Sequence, residues 1–207
     1  MNKVKLPDVS LIIVDCVDYH RAKLAFDFCQ RGFEFGESKI LSSLEVDSPE
    51  IEKIDHIKDI KSYSDFMIYD FHRYVNTKHV LSAQWDGFIV RPELYDPEYL
   101  TYDYIGAPWP SDVLFNGVPP HFNVGNGGFS LRSKELMQFM ATDKNLTYHY
   151  LEDVMICQLN RAYLEAVGFK FAPLELAMKF SWECGEYRDT FGVHHRLSLR
   201  RILGLDS

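Results

Sequence analysis

Cysteine is scarce and scattered in this chain. Its four cysteines, Cys16, Cys29, Cys157 and Cys184, form no C-x-x-C pair and no repeated spacing. That argues against a zinc cluster or a disulfide framework and for reduced thiols in a reducing compartment. Long hydrophobic runs are also missing. The start, MNKVKLPDVS, is too polar for a signal peptide, and the apolar run at residues 11–14 is far too short for a membrane span. The expectation is a cytoplasmic protein with no transmembrane segment. Basic residues are outnumbered, 22 Lys and Arg against 30 Asp and Glu, for a net charge of −8. A nucleic-acid backbone as main partner is thereby disfavoured, because phosphate tracks need clustered cations. Glycine (12) and proline (9) are too few for a fibrous or low-complexity chain. There are no internal repeats. No Gly-Lys-Ser/Thr follows a glycine loop and no G-x-G-x-x-G occurs, so neither nucleotide fingerprint is present.

What remains is a chain of 207 residues, 46% hydrophobic, ample for one full core. Residues 9–15, VSLIIVD, form a continuous apolar run ending in an acid, the pattern of a strand covered on both faces. Residues 19–31 carry helical spacing (Ala22, Ala25, Phe26, Cys29) and stop at Gly32. FEFGESKILS, 33–42, reads as a second strand broken at Gly36. A buried helix is expected over 62–76 with Ser62 as N-cap, then strands at 78–83, at QWDGFIV, at 103–106 and at GFSL after a long loop over 107–126. Residues 96–101 read as a short turn or helix. Ser133 is expected to cap a helix over 134–141. A helix over 150–167 should end at Gly168, and 169–171 should make a last short strand. Strand and helix alternating in this order predict an α/β fold, a mixed central sheet flanked by helices, with ligands at strand C-terminal ends.

Four stretches carry chemistry. Gln84-Trp85-Asp86-Gly87 follows a strand, where a carboxylate either holds a divalent cation and a phosphate or closes a turn. NVGNGGFSLR, 123–132, supplies exposed amides and room for a ligand, or a tight hairpin. Glu152-Asp153 opens a helix, as a general base or as acids complementing the helix dipole. In FGVHH, 191–195, two adjacent histidines on a strand face opposite ways, so at most one joins a given site. Aromatic residues crowd the long loop (Tyr102, Tyr104, Trp109, Phe115, His121, Phe122). Trp109 is the candidate platform for a sugar ring.

Each signal alone has a bland explanation, but their order does not. DYIGAPWP, VGNGGFSLRS, LEDVMIC, FAPLELAMKFSWE and FGVHH together resemble glycosyltransferases of the GT-A type. Within these they resemble a little-characterised family whose metal motif reads Q-x-D, and the N-terminal glycosyltransferase domain of a multidomain chlorella-virus protein. The resemblance spans roughly residues 9–195. It implies a single GT-A-like (nucleotide-diphospho-sugar transferase) domain over 1–195, acting in a host cytoplasm if the protein is viral. Asp86 and His194 match metal ligands for Mn²⁺ or Mg²⁺, with His195 the alternate. Asp153 matches the catalytic Asp in the Glu-Asp pair of inverting members, with Glu152 beside it. Gly127 and Gly128 fall where backbone passes under the donor sugar. Asp15, Cys16 and Tyr19 fall where the nucleotide base is received. Asp70, Arg73, Gln84 and Trp85 are further donor contacts, and Trp109 is the acceptor contact.

The implied reaction moves a sugar from a nucleotide-diphospho-sugar, a UDP-hexose or UDP-deoxyhexose such as rhamnose, to a glycan hydroxyl, with inversion and metal assistance. Gln84 departs from the usual D-x-D. It leaves open metal-independent catalysis and the alternative of an inactive nucleotide-sugar or glycan-binding module. A nucleotidyltransferase would carry a glycine-rich basic loop after the first strand, where this chain has VDCVDYHR. In a glycoside hydrolase two carboxylates would work as a pair, whereas Asp86-Gly with a late histidine suits a metal better. The tail over 196–207 (Arg196, Leu197, Leu199, Arg200, Arg201, Ile202, Leu203) is basic and amphipathic. It reads as a covering helix or as a lead into a further domain.

Overall fold

The computed structural model describes residues 3–110 and 118–195. Phe115 and the basic tail over 196–207 lie outside the described residues.

The apolar run near the start forms β1 (Val4–Val14) and is covered on both faces. Leu11 and Ile13 pack with α1 (Tyr19–Gln30) in one core, while Ile12 and Val14 join a second core on the other face. This is why the strand reads as continuous rather than alternating. Asp18 caps α1, accepting from the His20 and Arg21 amides.

β2 (Phe33–Ser42) runs through Gly36 without ending. The register against β1 shifts between Leu6 and Ser10, so the glycine marks a bulge and not a break. A Cβ on Gly36 would stand 2.2 Å from the Pro7 carbonyl oxygen. β3 (Ile51–Lys53), a three-residue strand, adds to β2 in parallel.

α2 (Ile60–Tyr69) begins earlier than Ser62, because Asp59 is the N-cap and Ser62 completes a capping box with it. The helix tightens into a 3₁₀ turn at Phe71–Tyr74. β4 (His79–Ala83) follows, then β5 (Gly87–Ile89), a 3₁₀ turn at Pro97–Thr101 and β6 (Tyr104–Gly106). β7 (Phe129–Ser133) leads into α3 (Lys134–Thr142), with Ser133 Oγ accepting from the Leu136 amide as expected.

The helix expected over 150–167 is three pieces. α4 (Glu152–Val154) passes into a π turn at Met155–Leu159 and then into α5 (Arg161–Ala166). The break falls at Asn160, whose side chain binds the Met155 and Thr147 carbonyls instead of leaving the helix backbone alone. Gly168 ends α5 at φ 112°. The strand expected at 169–171 reduces to a single bridge between Tyr104 and Phe171. α6 (Leu174–Phe180), β8 (Ser181–Trp182) and β9 (Gly192–His194) complete the described chain.

The main sheet has the order β3-β2-β1-β4-β7-β6. Its first four strands are parallel, while β7 is antiparallel to both neighbours. Helices cover both faces, so the fold is the mixed α/β class expected. The chain leaves β1 toward β2 on one side and returns through β4 on the other. The crevice between the C-terminal ends of β1 and β4 is thus a topological switch point, where open α/β sheets receive ligands. β5, β9 and β8 form a second, small sheet.

Candidate active site

The switch point opens into a cleft of about 460 Å³. Its lining includes Asp15 and Cys16 from the end of β1, Arg21 of α1, Tyr63 of α2, and Gln84 and Trp85 after β4. Arg21 lies over the Trp85 ring, 4.8 Å from its centroid, a cation–π contact at the mouth of the cleft. Asp15 is largely committed. Its carboxylate accepts from the Val17 and Asp18 amides and pairs with Arg21 at 2.9 Å. Gln84 donates from Nε2 to Tyr63 Oη at 3.1 Å, and burial raises the Tyr63 phenol, so it stays protonated.

Gly127 and Gly128 of the GNGG run form a backbone ridge beside this cleft. Gln84 donates its amide to the Gly128 carbonyl. On one side of the ridge lies the Glu152-Asp153 pair. The Gly127 amide donates to Asp153 Oδ2 at 3.2 Å, and the Val154 amide to Oδ1 at 2.8 Å. A Cβ on Gly127 would meet Glu152 Oε1 at 2.4 Å and Arg132 at 2.9 Å.

β7 explains the arginine. Phe129 and Leu131 face the main core, so Ser130 and Arg132 face the opposite side, toward α4. Arg132 is fully buried and pairs with Glu152 at 3.0 Å. It also donates to Ser130 Oγ and to the Gly127 carbonyl. Burial works against its charge, but Tyr104, Glu152 and Tyr63 around it hold the guanidinium protonated. Glu152 is itself buried and turned to this arginine, whereas Asp153 is partly exposed. Burial and the adjacent Glu152 charge push Asp153 up to about 7, against the pull of the two amides and Arg132.

His194 lies on the other side of the ridge. Pairing of Gly87 with His194 between β5 and β9 brings Asp86 beside a residue 108 positions later. His194 Nε2 is 3.4 Å from Asp86 Oδ1, and Nδ1 is 3.4 Å from Glu183 Oε1. Burial lowers the imidazole, but hydrogen bonds and the charges of Asp86 and Glu183 outweigh it and push it up to about 9. His195 faces away, its ring 5.3 Å from Trp182 and its amide on the Asp86 carbonyl.

This donor set fits a divalent cation. A carboxylate oxygen and an imidazole nitrogen lie side by side, and a second carboxylate backs the other ring nitrogen. Only glycine leaves room, since a Cβ at position 128 would stand 2.1 Å from His194 Nε2. Among the described residues no group of three or more His, Cys, Asp or Glu is arranged to hold a metal. Asp86 and His194 could supply two ligands to such a cation. Gly128→Ala is expected to push the imidazole out of place and to cost about 1–3 kcal/mol by overpacking. Thermal melts check this, and a variant melting with wild type would put His194 elsewhere.

Four predicted contacts lie apart from this assembly. Asp70 and Arg73 pair with each other at 2.9 Å and line a different groove, along α2 and its 3₁₀ extension. Tyr19 Oη is engaged by Ser48 and Glu50. Trp109 is half-buried against the core around Tyr104 and Cys157, and a Cβ on Gly125 would meet its ring at 2.9 Å. The sequence did not flag Arg132, Tyr63, Asn126 or Glu183. A lone arginine inside a fully buried strand, and the acid closing SWE, were the available signals.

A family model described as "Protein of unknown function (DUF5672)" matches residues 48–194. The chain belongs to that family. The matched range of DUF5672 runs from before Gln84 to His194 and leaves out Asp15 and the rest of β1. A search of curated proteins finds no match.

Among solved structures, a glycosyltransferase involved in glycosylation of the major capsid of PBCV-1 is similar over 90% of this chain and 91% of that one. The TM-score is 0.54 at 10% identity, which establishes a shared fold. Bifunctional IspDF from Campylobacter jejuni aligns over 79% of this chain at TM-score 0.46 and 12% identity. The chain spans 48% of that protein's length. A197 from STIV aligns over 70% of this chain and 74% of that one, at TM-score 0.39 and 13% identity. No helix among the described residues is long and apolar enough to cross a membrane.

Proposed function

We propose that this DUF5672 chain is a glycosyltransferase that moves a sugar from a nucleotide-diphospho-sugar to a glycan hydroxyl, with inversion. The observation that carries the proposal is the Gly127-Gly128 ridge at the switch point. It has a partly exposed carboxylate on one side and an Asp–His pair on the other. In this reading the cleft lined by Cys16, Arg21, Gln84 and Trp85 receives the nucleotide, a uridine base being the first to test. Asp86 and His194 would hold Mn²⁺ or Mg²⁺ when it binds. The cation, when bound, neutralises the charge that develops on the leaving group.

Asp153 takes the proton from the acceptor hydroxyl as that oxygen forms its bond to C1. The C1–oxygen bond to the diphosphate breaks, and the nucleoside diphosphate leaves with the electron pair. Glu152, held on Arg132, keeps Asp153 basic enough to accept a proton near neutral pH.

The second reading is a nucleotide-sugar-binding module without catalysis. It is favoured by Gln84, whose amide is bound to Tyr63 where a second acid would stand. Release of nucleoside diphosphate from a UDP-sugar, followed with Mn²⁺ and with EDTA, separates the two. Turnover that EDTA stops and Mn²⁺ restores is the expected result. Binding without release supports the module, and full turnover in EDTA removes the metal from the account.

A further inference from the structure

The site described so far uses Asp86 and His194 but leaves Glu183 without a task. This acid closes the SWE run just after β8, and its position is set by the small sheet in which β8 pairs with β9. Its Oε1 accepts from Asn126 Nδ2 at 2.7 Å and faces His194 Nδ1 at 3.4 Å. Asn126 in turn accepts from the Gly128 amide through Oδ1 at 3.0 Å. One carboxylate oxygen therefore touches two groups at once, bonding the asparagine that pins the glycine ridge and standing beside the imidazole as a charge partner. Asn126, in the loop before β7, and His194, at the end of β9, are 68 positions apart, and no other side chain joins them among the described contacts.

We propose that Glu183 is a positioning residue: by holding the Nδ1 side of His194 and the side chain of Asn126, it aims His194 Nε2 at the cation site shared with Asp86. This rests on the metal-assisted reading above. The physical reason is that an imidazole binds a metal through one nitrogen only, and the hydrogen bond at the other nitrogen selects which one and holds the ring plane. A charged acceptor also makes the ligating nitrogen a better donor. Glu183 sits behind the ring and away from Asp86, so it acts through His194 and touches no substrate.

The test is a titration of the full chain with Mn²⁺ alone, read by loss of the free-ion electron paramagnetic resonance spectrum. Spin-echo modulation of the bound ion then reports a coordinated ¹⁴N. Wild type is expected to bind Mn²⁺ with a ¹⁴N coupling that His194→Ala abolishes. Glu183→Ala should weaken binding by about 10–100-fold. Glu183→Gln, which keeps the shape and one acceptor but loses the charge, should weaken it by a smaller factor. Wild type with no ¹⁴N-coupled Mn²⁺ would overturn the metal reading and this proposal with it. Coupled Mn²⁺ in wild type with unchanged affinity in both Glu183 variants overturns the role of Glu183 alone. If Glu183→Ala fails to fold, unchanged affinity in Glu183→Gln decides in the same way.

Discussion

Asp153→Asn lowers the rate of sugar transfer by about 10²–10⁴-fold while donor affinity stays at the wild-type value. The substitution keeps the shape of the side chain, removes its ability to take a proton and gives up one of the two amide bonds its oxygens accept. Donor affinity, measured by calorimetry, separates this from a structural role, since a collapsed site would lose binding and turnover together. The pH profile adds a second readout. Asp153 is pushed up to about 7, so wild-type turnover should rise with pH through about 7 as the carboxylate ionises. The residual activity of the asparagine variant should lack that limb.

Stability moves the other way. An acid whose folded pKa lies above its unfolded value stabilises the fold at low pH, and that contribution is lost as pH rises from about 4 to about 7. The gap in Tm between wild type and Asp153→Asn should therefore shift in favour of the variant across that window.

Arg132→Met destabilises the protein by about 3–5 kcal/mol, a large share of the roughly 5–15 kcal/mol that holds a domain folded. The guanidinium is fully buried, and its removal leaves the buried Glu152 charge without its partner. It also removes a donor from the Gly127 carbonyl and the contact with the Tyr104 ring, 5.3 Å from its centroid. Combining Arg132→Met with Glu152→Gln should recover much of the loss, because the stranded charge, not the missing pair, is the main cost. Equilibrium urea unfolding of the two variants measures this. A single variant within about 0.5 kcal/mol of wild type would mean that the pair is not buried as described.

Much of the main sheet was legible because β1, β2, β4 and β7 write their burial into the chain. β1 is apolar on both faces, and β7 places an arginine and a serine opposite its two large apolar residues. Strands were legible at QWDGFIV and FGVHH, but their pairing into a small sheet with β8 was not. β5, β8 and β9 have two or three residues each, too short for any periodicity, and exist because chain segments far apart in sequence pair with one another. Yet that sheet is what puts His194 and Glu183 next to Asp86.

The break at Asn160 was hidden for a different reason. A side chain that competes for helix carbonyls leaves the apolar spacing around it intact. Asp86, the two glycines and Asp153 stood out by motif. Arg132, Asn126 and Glu183 did not, because their work is to hold other residues, and that depends on contacts and not on spacing. Asp70 and Arg73 show the converse. They lie near the metal motif in sequence, but α2 and its 3₁₀ extension carry them to a different groove.

The central claim is that the crevice between β1 and β4 binds a nucleotide-diphospho-sugar. Thermal unfolding with UDP-, GDP- and dTDP-sugars, each with and without Mn²⁺, tests it most directly, since a ligand that binds only the folded chain raises its Tm. One donor class, with Mn²⁺ present, should stabilise the protein by about 2.7 kcal/mol at a hundredfold excess over Kd, a rise of roughly 5–10 °C. An unchanged Tm with every nucleotide sugar, metal present or absent, would contradict the account.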